Sequence, residues 1–180
     1  MHPSLHELAE KYGVDKLHSH SYIPFYEKLF AGRAVKRILE IGIGYEDLMK
    51  PFVPFYVHGA SLRMWKELFP SAQIWSCDIR EDALFHDEPS IYTLQIDQSK
   101  REDLAKLASL GPWDVVIDDG SHQTEHQILT AEVLLPSVRP GGVYIVEDVQ
   151  EPERVAASIP GSVIHRFDKR PDDVLVVVEK

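Results

Sequence analysis

Two apolar runs that each end in a pair of carboxylates constrain this chain more than any other feature. The first, Val115 to His122 (VVIDDGSH), is an apolar strand followed by Asp118, Asp119, a glycine, a serine and a histidine. The second, Pro140 to Val149 (PGGVYIVEDV), leaves a Pro-Gly-Gly turn as another apolar strand and closes on Glu147 and Asp148. Short apolar runs bounded by turn residues suit buried strands of a parallel sheet, and open α/β sheets bind their ligands just beyond the carboxyl ends of such strands. If the two strands are neighbours, Asp119, His122, Glu147 and Asp148 converge on one small volume. That combination suits a divalent metal beside a general base.

The remaining chain supplies a matching framework. Val35 to Gly44 (VKRILEIGIG) reads as a strand running into a glycine turn, with Glu40 two residues before Gly42. Glycines here let the backbone approach a nucleotide-like ligand. A dinucleotide fingerprint needs a third glycine three residues after Gly44, and Asp47 holds that place, so an NAD reading weakens. GASLRMWKELFP then carries Leu62, Trp65, Leu68 and Phe69 on one helical face, with Ser61 near its start and Pro70 at its end. AQIWSCDI is a strand finishing at Asp78, placed to accept two ribose hydroxyls, and SIYTLQIDQS a strand ending at Asp97 and Gln98, placed for an adenine edge. Helices are expected over SKREDLAKLASLG and EHQILTAEVLLPSV, and the tail reads as an antiparallel hairpin of Val163 to Phe167 and Val174 to Glu179.

Two segments flank this framework. SLHELAEKYGV has Leu5, Leu8, Ala9 and Tyr12 at helical spacing, Ser4 as cap and Gly13 as stop. The His- and Tyr-dense DKLHSHSYIPFYEKLF leads into a second helix around Phe25 to Phe30. Two readings stand for this N-terminal flap, residues 1–33 ahead of a 34–180 sheet core: a lid over a ligand, or helices whose aromatics cover the core. Tyr45 to His58, with two prolines and several aromatics, reads as a loop insertion at the ligand rim whose order depends on what binds there.

Composition narrows the function classes. A chain of 180 residues, 44% apolar and 27% charged, suits one globular domain, and a net charge of -10 argues against nucleic acid as a partner. The lone Cys77 allows no disulfide within the chain. Pro3, His6, Glu7 and Glu10 stand where a signal peptide needs an apolar core, and no run approaches the ~18 apolar residues of a membrane span, so a cytoplasmic protein with no membrane partner is expected. Association into a homo-oligomer stays open.

Taken together, LAEKYGVDKLHSHSYIPFYEKLF, ILEIGIG, GASLRMWKELFP, Asp78, DQS at Asp97 to Ser99, VIDDGSH and GGVYIVEDV resemble the S-adenosylmethionine-dependent O-methyltransferases of the macrocin and mycinamicin type. Those enzymes act on sugar hydroxyls of macrolide natural products and use magnesium. The resemblance implies an α/β, Rossmann-like class I methyltransferase fold, a mostly parallel seven-stranded sheet with a C-terminal antiparallel hairpin. It implies Asp119, Glu147 and Asp148 as Mg2+ ligands, His122 as catalytic base, and Glu40, Gly42, Gly44, Ser61, Asp78, Ile79, Asp97, Gln98 and Asp118 around S-adenosyl-L-methionine. The insertion after Gly44 and the short segment after Asp148 depart from the family pattern.

The chemistry is consistent with that assignment. An alkyl hydroxyl is too weak an acid to be nucleophilic at neutral pH; a hard cation on carboxylates lowers the barrier, and a histidine near its reference pKa of ~6.5 can take the proton. His126, one turn beyond His122, offers an H-x-x-x-H zinc alternative, but the surrounding carboxylates favour magnesium. Ser121 lacks the G-x-S-x-G elbow of a hydrolase. Three functions remain open: a metal-dependent O-methyltransferase of a small-molecule hydroxyl, a protein that binds S-adenosylmethionine without catalysis, and a different enzyme on the same sheet. The intact acids and His122 favour the first.

Overall fold

A computed structural model describes residues 3–51, 53 and 56–180 of the chain. Phe52, Pro54 and Phe55 of the insertion lie outside the described residues. Three helices come first: α1 (Leu5–Tyr12), α2 (Asp15–His18) and α3 (Ile23–Phe30). They are followed by β1 (Arg37–Ile41), α4 (Glu46–Met49), α5 (Ala60–Leu68), β2 (Gln73–Asp78), β3 (Ile91–Gln95), α6 (Arg101–Ser109), β4 (Trp113–Asp118), α7 (Thr124–Leu134), β5 (Val138–Val146), α8 (Pro152–Ser158), β6 (Val163–Arg166) and β7 (Val174–Glu179). The strands form one sheet in the order β3-β2-β1-β4-β5-β7-β6. Neighbours from β3 through β5 run parallel, and β7 is antiparallel to both β5 and β6. The sequence patterning implies five strands alternating with helices and then a hairpin; the order holds except that only a 3-10 turn, Glu81–Ala83, separates β2 from β3.

The alternation of side chains along each strand builds two cores. Ile38 of β1, Val115 and Ile117 of β4, and Val143 and Ile145 of β5 face one side and pack with α1, α3 and α5. Leu39, Ile41, Val116, Tyr144 and Val146 face the other, against α6, α7 and α8. Each such side chain taken from water contributes about 1.5–3 kcal/mol. Because β4 and β5 are covered on both faces, residues 115–117 and 143–146 read as continuous apolar runs, with Asp118 and Glu147 at their carboxyl ends.

The flap settles into the first of these cores. Ser4 caps α1 by accepting from the Glu7 N–H at 3.2 Å while Glu7 accepts from the Ser4 N–H at 2.7 Å. Gly13 ends the helix at φ +63°. Leu5, Leu8, Tyr22, Ile23 and Tyr26 are buried, and the Tyr26 ring meets Trp65 of α5 edge-on at 5.3 Å between centroids. The aromatics of this segment cover the core, as one of its two readings has it, while Val14 and Asp15 also reach the cavity at the sheet edge. Among the described residues no helix is long and apolar enough to cross a membrane.

Candidate active site

Every strand of the parallel part ends at the same edge, and there the backbone is tightly tied. The Gly42 N–H donates to the Cys77 carbonyl, the Asp119 N–H to the Ile41 carbonyl and the Glu147 N–H to the Asp118 carbonyl, at 2.9–3.0 Å. A Cβ on Gly42 would collide with the Asp119 carbonyl, so only glycine lets β1 and β4 turn away side by side. Beyond this edge lies a cavity of about 420 Å³, within the range of about 300–1,000 Å³ usual for small-molecule sites. Its wall includes seven of the nine residues expected around the cofactor: Gly42, Gly44, Ser61, Asp78, Ile79, Asp97 and Gln98.

The polar groups of this wall are held in distinct ways. One Asp78 oxygen accepts from the Ile43 N–H at 3.2 Å and the other from the Arg80 N–H at 3.0 Å. Bonds from Ser99 and Lys100 hold Asp97 at about 2, below the usual carboxylate range. The Gln98 amide donates to Asp118 at 2.6 Å and to Thr130 at 3.0 Å, and its oxygen accepts from the Ser121 N–H at 2.9 Å. It braces the turn after β4 against α7. Glu40 and Asp118, the other two expected cofactor residues, are fully buried beneath the cavity. Burial pushes the Asp118 carboxyl up to about 7.

Asp119 and His122 of the lining belong to an acid cluster that Asp148 completes. One donor atom from each of Asp119, His122 and Asp148 lies within 4.8 Å of the others, a set suited to a cation. His122 Nε2 is 3.3 Å from Asp119 Oδ1, and its Nδ1 is 3.7 Å from Asp148 Oδ2. His122 and Asp148 both adopt left-handed backbone conformations, φ +56° and +53°. Non-glycine residues there carry strain of about 1–3 kcal/mol each, which persists only where surrounding contacts enforce it. Tyr22 supplies part of that enforcement, its hydroxyl donating to Asp148 Oδ1 at 2.7 Å. His20 supplies more, standing 3.4 Å from Asp148 Oδ2 and 3.3 Å from Asp173 Oδ1.

Glu147 takes a different direction from its neighbour. Its carboxylate turns into the core, where it accepts from the Tyr26 hydroxyl and, at 2.8 Å, from the Lys16 ammonium. Lys16 is fully buried and also bonds Asp119 Oδ2 at 2.6 Å, with Glu40 Oε1 at 3.3 Å. Of the four side chains expected to converge, three meet around one point and the fourth is shared between Lys16 and Tyr26. Removing one partner of such a buried ion pair typically destabilises a protein by about 3–5 kcal/mol.

The charges follow from this packing. Burial opposes the Lys16 charge, but Asp119, Glu147 and Glu40 outweigh it and hold the ammonium firmly protonated. Burial raises Glu147 and Glu40, while Lys16 and the His122 bond overcome burial at Asp119 and hold it low. Asp148 is pushed up to about 6 by burial and by Asp119. For His122, burial is outweighed by the bond to Asp119 and by the charges of Asp119, Asp148 and Asp118, so the ring is pushed up to about 9. This differs from the neutral imidazole expected of a free histidine at pH 7, because three carboxylates favour its cationic form.

Lys16, His20, Tyr22 and Tyr26 were not singled out as site residues in the sequence. Their one signal is the density of His and Tyr between Asp15 and Phe30, and a lysine in such a run reads as surface. His126 lines the cavity and its Nδ1 is 2.8 Å from Ser121 Oγ.

No protein-family model matches the chain. It is similar to the 8-demethyl-8-alpha-L-rhamnosyl tetracenomycin-C 2'-O-methyltransferase of Streptomyces olivaceus, 41% identical over 153 residues that span 82% of this chain and 38% of the relative. It is equally similar to the mycinamicin VI 2''-O-methyltransferase of Micromonospora griseorubida, 41% over 155 residues, 82% of this chain and 36% of the relative. The chain thus spans under two fifths of the length of these curated relatives. Among solved structures, the MycE methyltransferase from the mycinamycin biosynthetic pathway, in complex with Mg, SAH and mycinamycin VI, superposes with a TM-score of 0.77 and 31% identity over 98% of this chain and 54% of that one. Over the portion they share, the chain is therefore similar to sugar O-methyltransferases of the macrocin and mycinamicin type, and it has the Rossmann-like class I methyltransferase fold.

Proposed function

We propose that this chain carries the catalytic domain of an S-adenosylmethionine-dependent, magnesium-assisted O-methyltransferase that acts on a hydroxyl of a small molecule, a sugar or natural product. The observation that supports this most is that Asp119 and His122, clustered with Asp148, line the same cavity as Gly42, Asp78 and Asp97. A cavity of about 420 Å³ lined by both groups can take a nucleotide-like donor together with a small acceptor. The relatives' names and the MycE complex point the same way. A cytoplasmic setting belongs to the same proposal.

In this reading the Gly42 and Gly44 turn admits the donor closely, Asp78 accepts from its ribose hydroxyls, and Ser61, Ile79 and Asp97 line its flanks. Asp119 and Asp148 would hold the magnesium, with Glu147 joining once its bonds to Lys16 and Tyr26 are exchanged. When bound, S-adenosylmethionine supplies an electrophilic methyl group, and magnesium supplies polarisation of the acceptor hydroxyl and charge to offset the carboxylates. His122 keeps its proton while Asp119 and Asp148 carry full charge beside it; with that charge offset, a ring nitrogen accepts the hydroxyl proton as the methyl group moves. The strained backbone at positions 122 and 148 keeps ring and carboxylate facing each other throughout.

The test is mass-spectrometric detection of methyl transfer to a panel of glycosides, diols and catechols, with magnesium and with EDTA. Magnesium-dependent transfer is expected. Transfer unchanged in EDTA would leave a methyltransferase that works by proximity alone. Binding of S-adenosylhomocysteine without transfer to any acceptor would favour the binding-protein alternative.

A further inference from the structure

Lys16 is an unusual residue to find at the centre of this site. Its ammonium is fully buried, comes from a four-residue helix of the N-terminal segment, and stands among carboxylates from three different strand ends: Glu40 from β1, Asp119 after β4 and Glu147 after β5. The short helix is itself fixed from outside, because the Lys169 ammonium donates to the Leu17 carbonyl and, at 3.0 Å, to the His20 carbonyl. Lys16 engages one oxygen of Asp119 and leaves the other, Oδ1, facing His122.

We propose that Lys16 is the resident counter-cation of the acid cluster, a positioning residue that holds the carboxylates assembled without metal and sets how tightly an added divalent cation binds. The inference rests on the metal part of the function proposed above. A cation entering at Asp119 and Asp148 meets an ammonium already hydrogen-bonded to Asp119, and at this separation like charges repel strongly in a poorly solvated site. Lys16 therefore weakens magnesium binding while it keeps Asp119 aimed at the ring of His122.

The experiment is titration calorimetry with magnesium chloride on the whole chain, free of cofactor, for the native protein, Lys16→Met and the charge-balanced Lys16→Met/Glu40→Gln, each checked for folding by circular dichroism. Lys16→Met is expected to melt lower in EDTA and to bind magnesium at least about tenfold more tightly. The double variant, whose formal charge matches the native cluster, is expected to return to within about threefold of native affinity. Heat from Lys16→Met where the native chain gives none also supports the proposal, since the ammonium would then be masking the site. Equal or weaker binding by a folded Lys16→Met overturns it. If Lys16→Met does not fold, the double variant decides: native-like affinity supports the role, and failure to fold or a tenfold loss overturns it. Heat from neither the native chain nor Lys16→Met removes the metal reading together with this one, whereas unchanged binding in chains that do take magnesium removes this one alone.

Discussion

The two parts of the site, a donor end and an acid end, are built differently. At the donor end, Gly42, Gly44, Asp78 and Asp97 sit at strand ends or on the turns after them, and the two carboxylates accept from the backbone N–H groups of Ile43, Arg80 and Ser99, none more than 35 positions away. At the acid end, every carboxylate is held by a side chain more than a hundred positions away: Lys16 on Asp119 and Glu147, Tyr22 on Asp148, Tyr26 on Glu147. The first end is a feature of the sheet edge. The second is a joint between the sheet and the N-terminal segment, and its charges, unlike those of the donor end, are mostly out of water.

That contrast predicts what breaks each end. The largest effect is expected at the acid end: His122→Ala should lower turnover per folded molecule by about 100-fold to 10,000-fold while S-adenosylhomocysteine affinity is kept. Near-native turnover by the folded fraction would take the proton away from His122. At the donor end, Asp78→Ala should weaken S-adenosylmethionine binding by about 1.5–3 kcal/mol, read by calorimetry, without changing the melting temperature of the ligand-free chain in proportion. Binding unchanged in that variant would move the ribose elsewhere.

The smallest effect is a difference in pH response. His122 is raised from an ordinary 6.5 to about 9, so its contribution to stability is fully present below pH 6.5 and is lost as pH rises through 9. With the side chain 33% exposed, solvent screening reduces that contribution to about 1–2 kcal/mol. Melting curves of native protein and His122→Gln in EDTA should therefore differ most at pH 6 and converge above pH 9. A gap that stays constant would show that the ring acts through packing alone.

The same contrast explains what could be read from the sequence. Strand order, the glycine turn and the acids at positions 78, 97, 119 and 148 are legible because each depends on local period and on the rule that ligands gather at strand ends. The inward turn of Glu147 is not, because its direction depends on Lys16 and Tyr26, which the chain brings back from its first thirty residues. The cationic state of His122 is hidden for a related reason: no histidine announces in sequence that three carboxylates will surround it. Gln98 adds a feature that the strand-end position does not announce: it lines the cavity while its amide also bonds Asp118, Thr130 and Ser121.

The long reach of the acid-end contacts also fixes when the site can form. Lys16 bonds partners 103 and 131 positions away, Tyr22 one 126 away, and the Ser21 N–H reaches Asp173 across 152. Contacts of such separation bear a large loop-closure entropy before they return any stability, so they close late in folding. During synthesis the segment carrying Lys16, Tyr22 and Tyr26 emerges before β4, β5 and β7 and must wait for them. Through that interval its apolar face has no sheet to cover. The glycine turn of the donor end rests on contacts of shorter separation, such as the Ile43 N–H to Asp78 across 35 positions, and can assemble earlier.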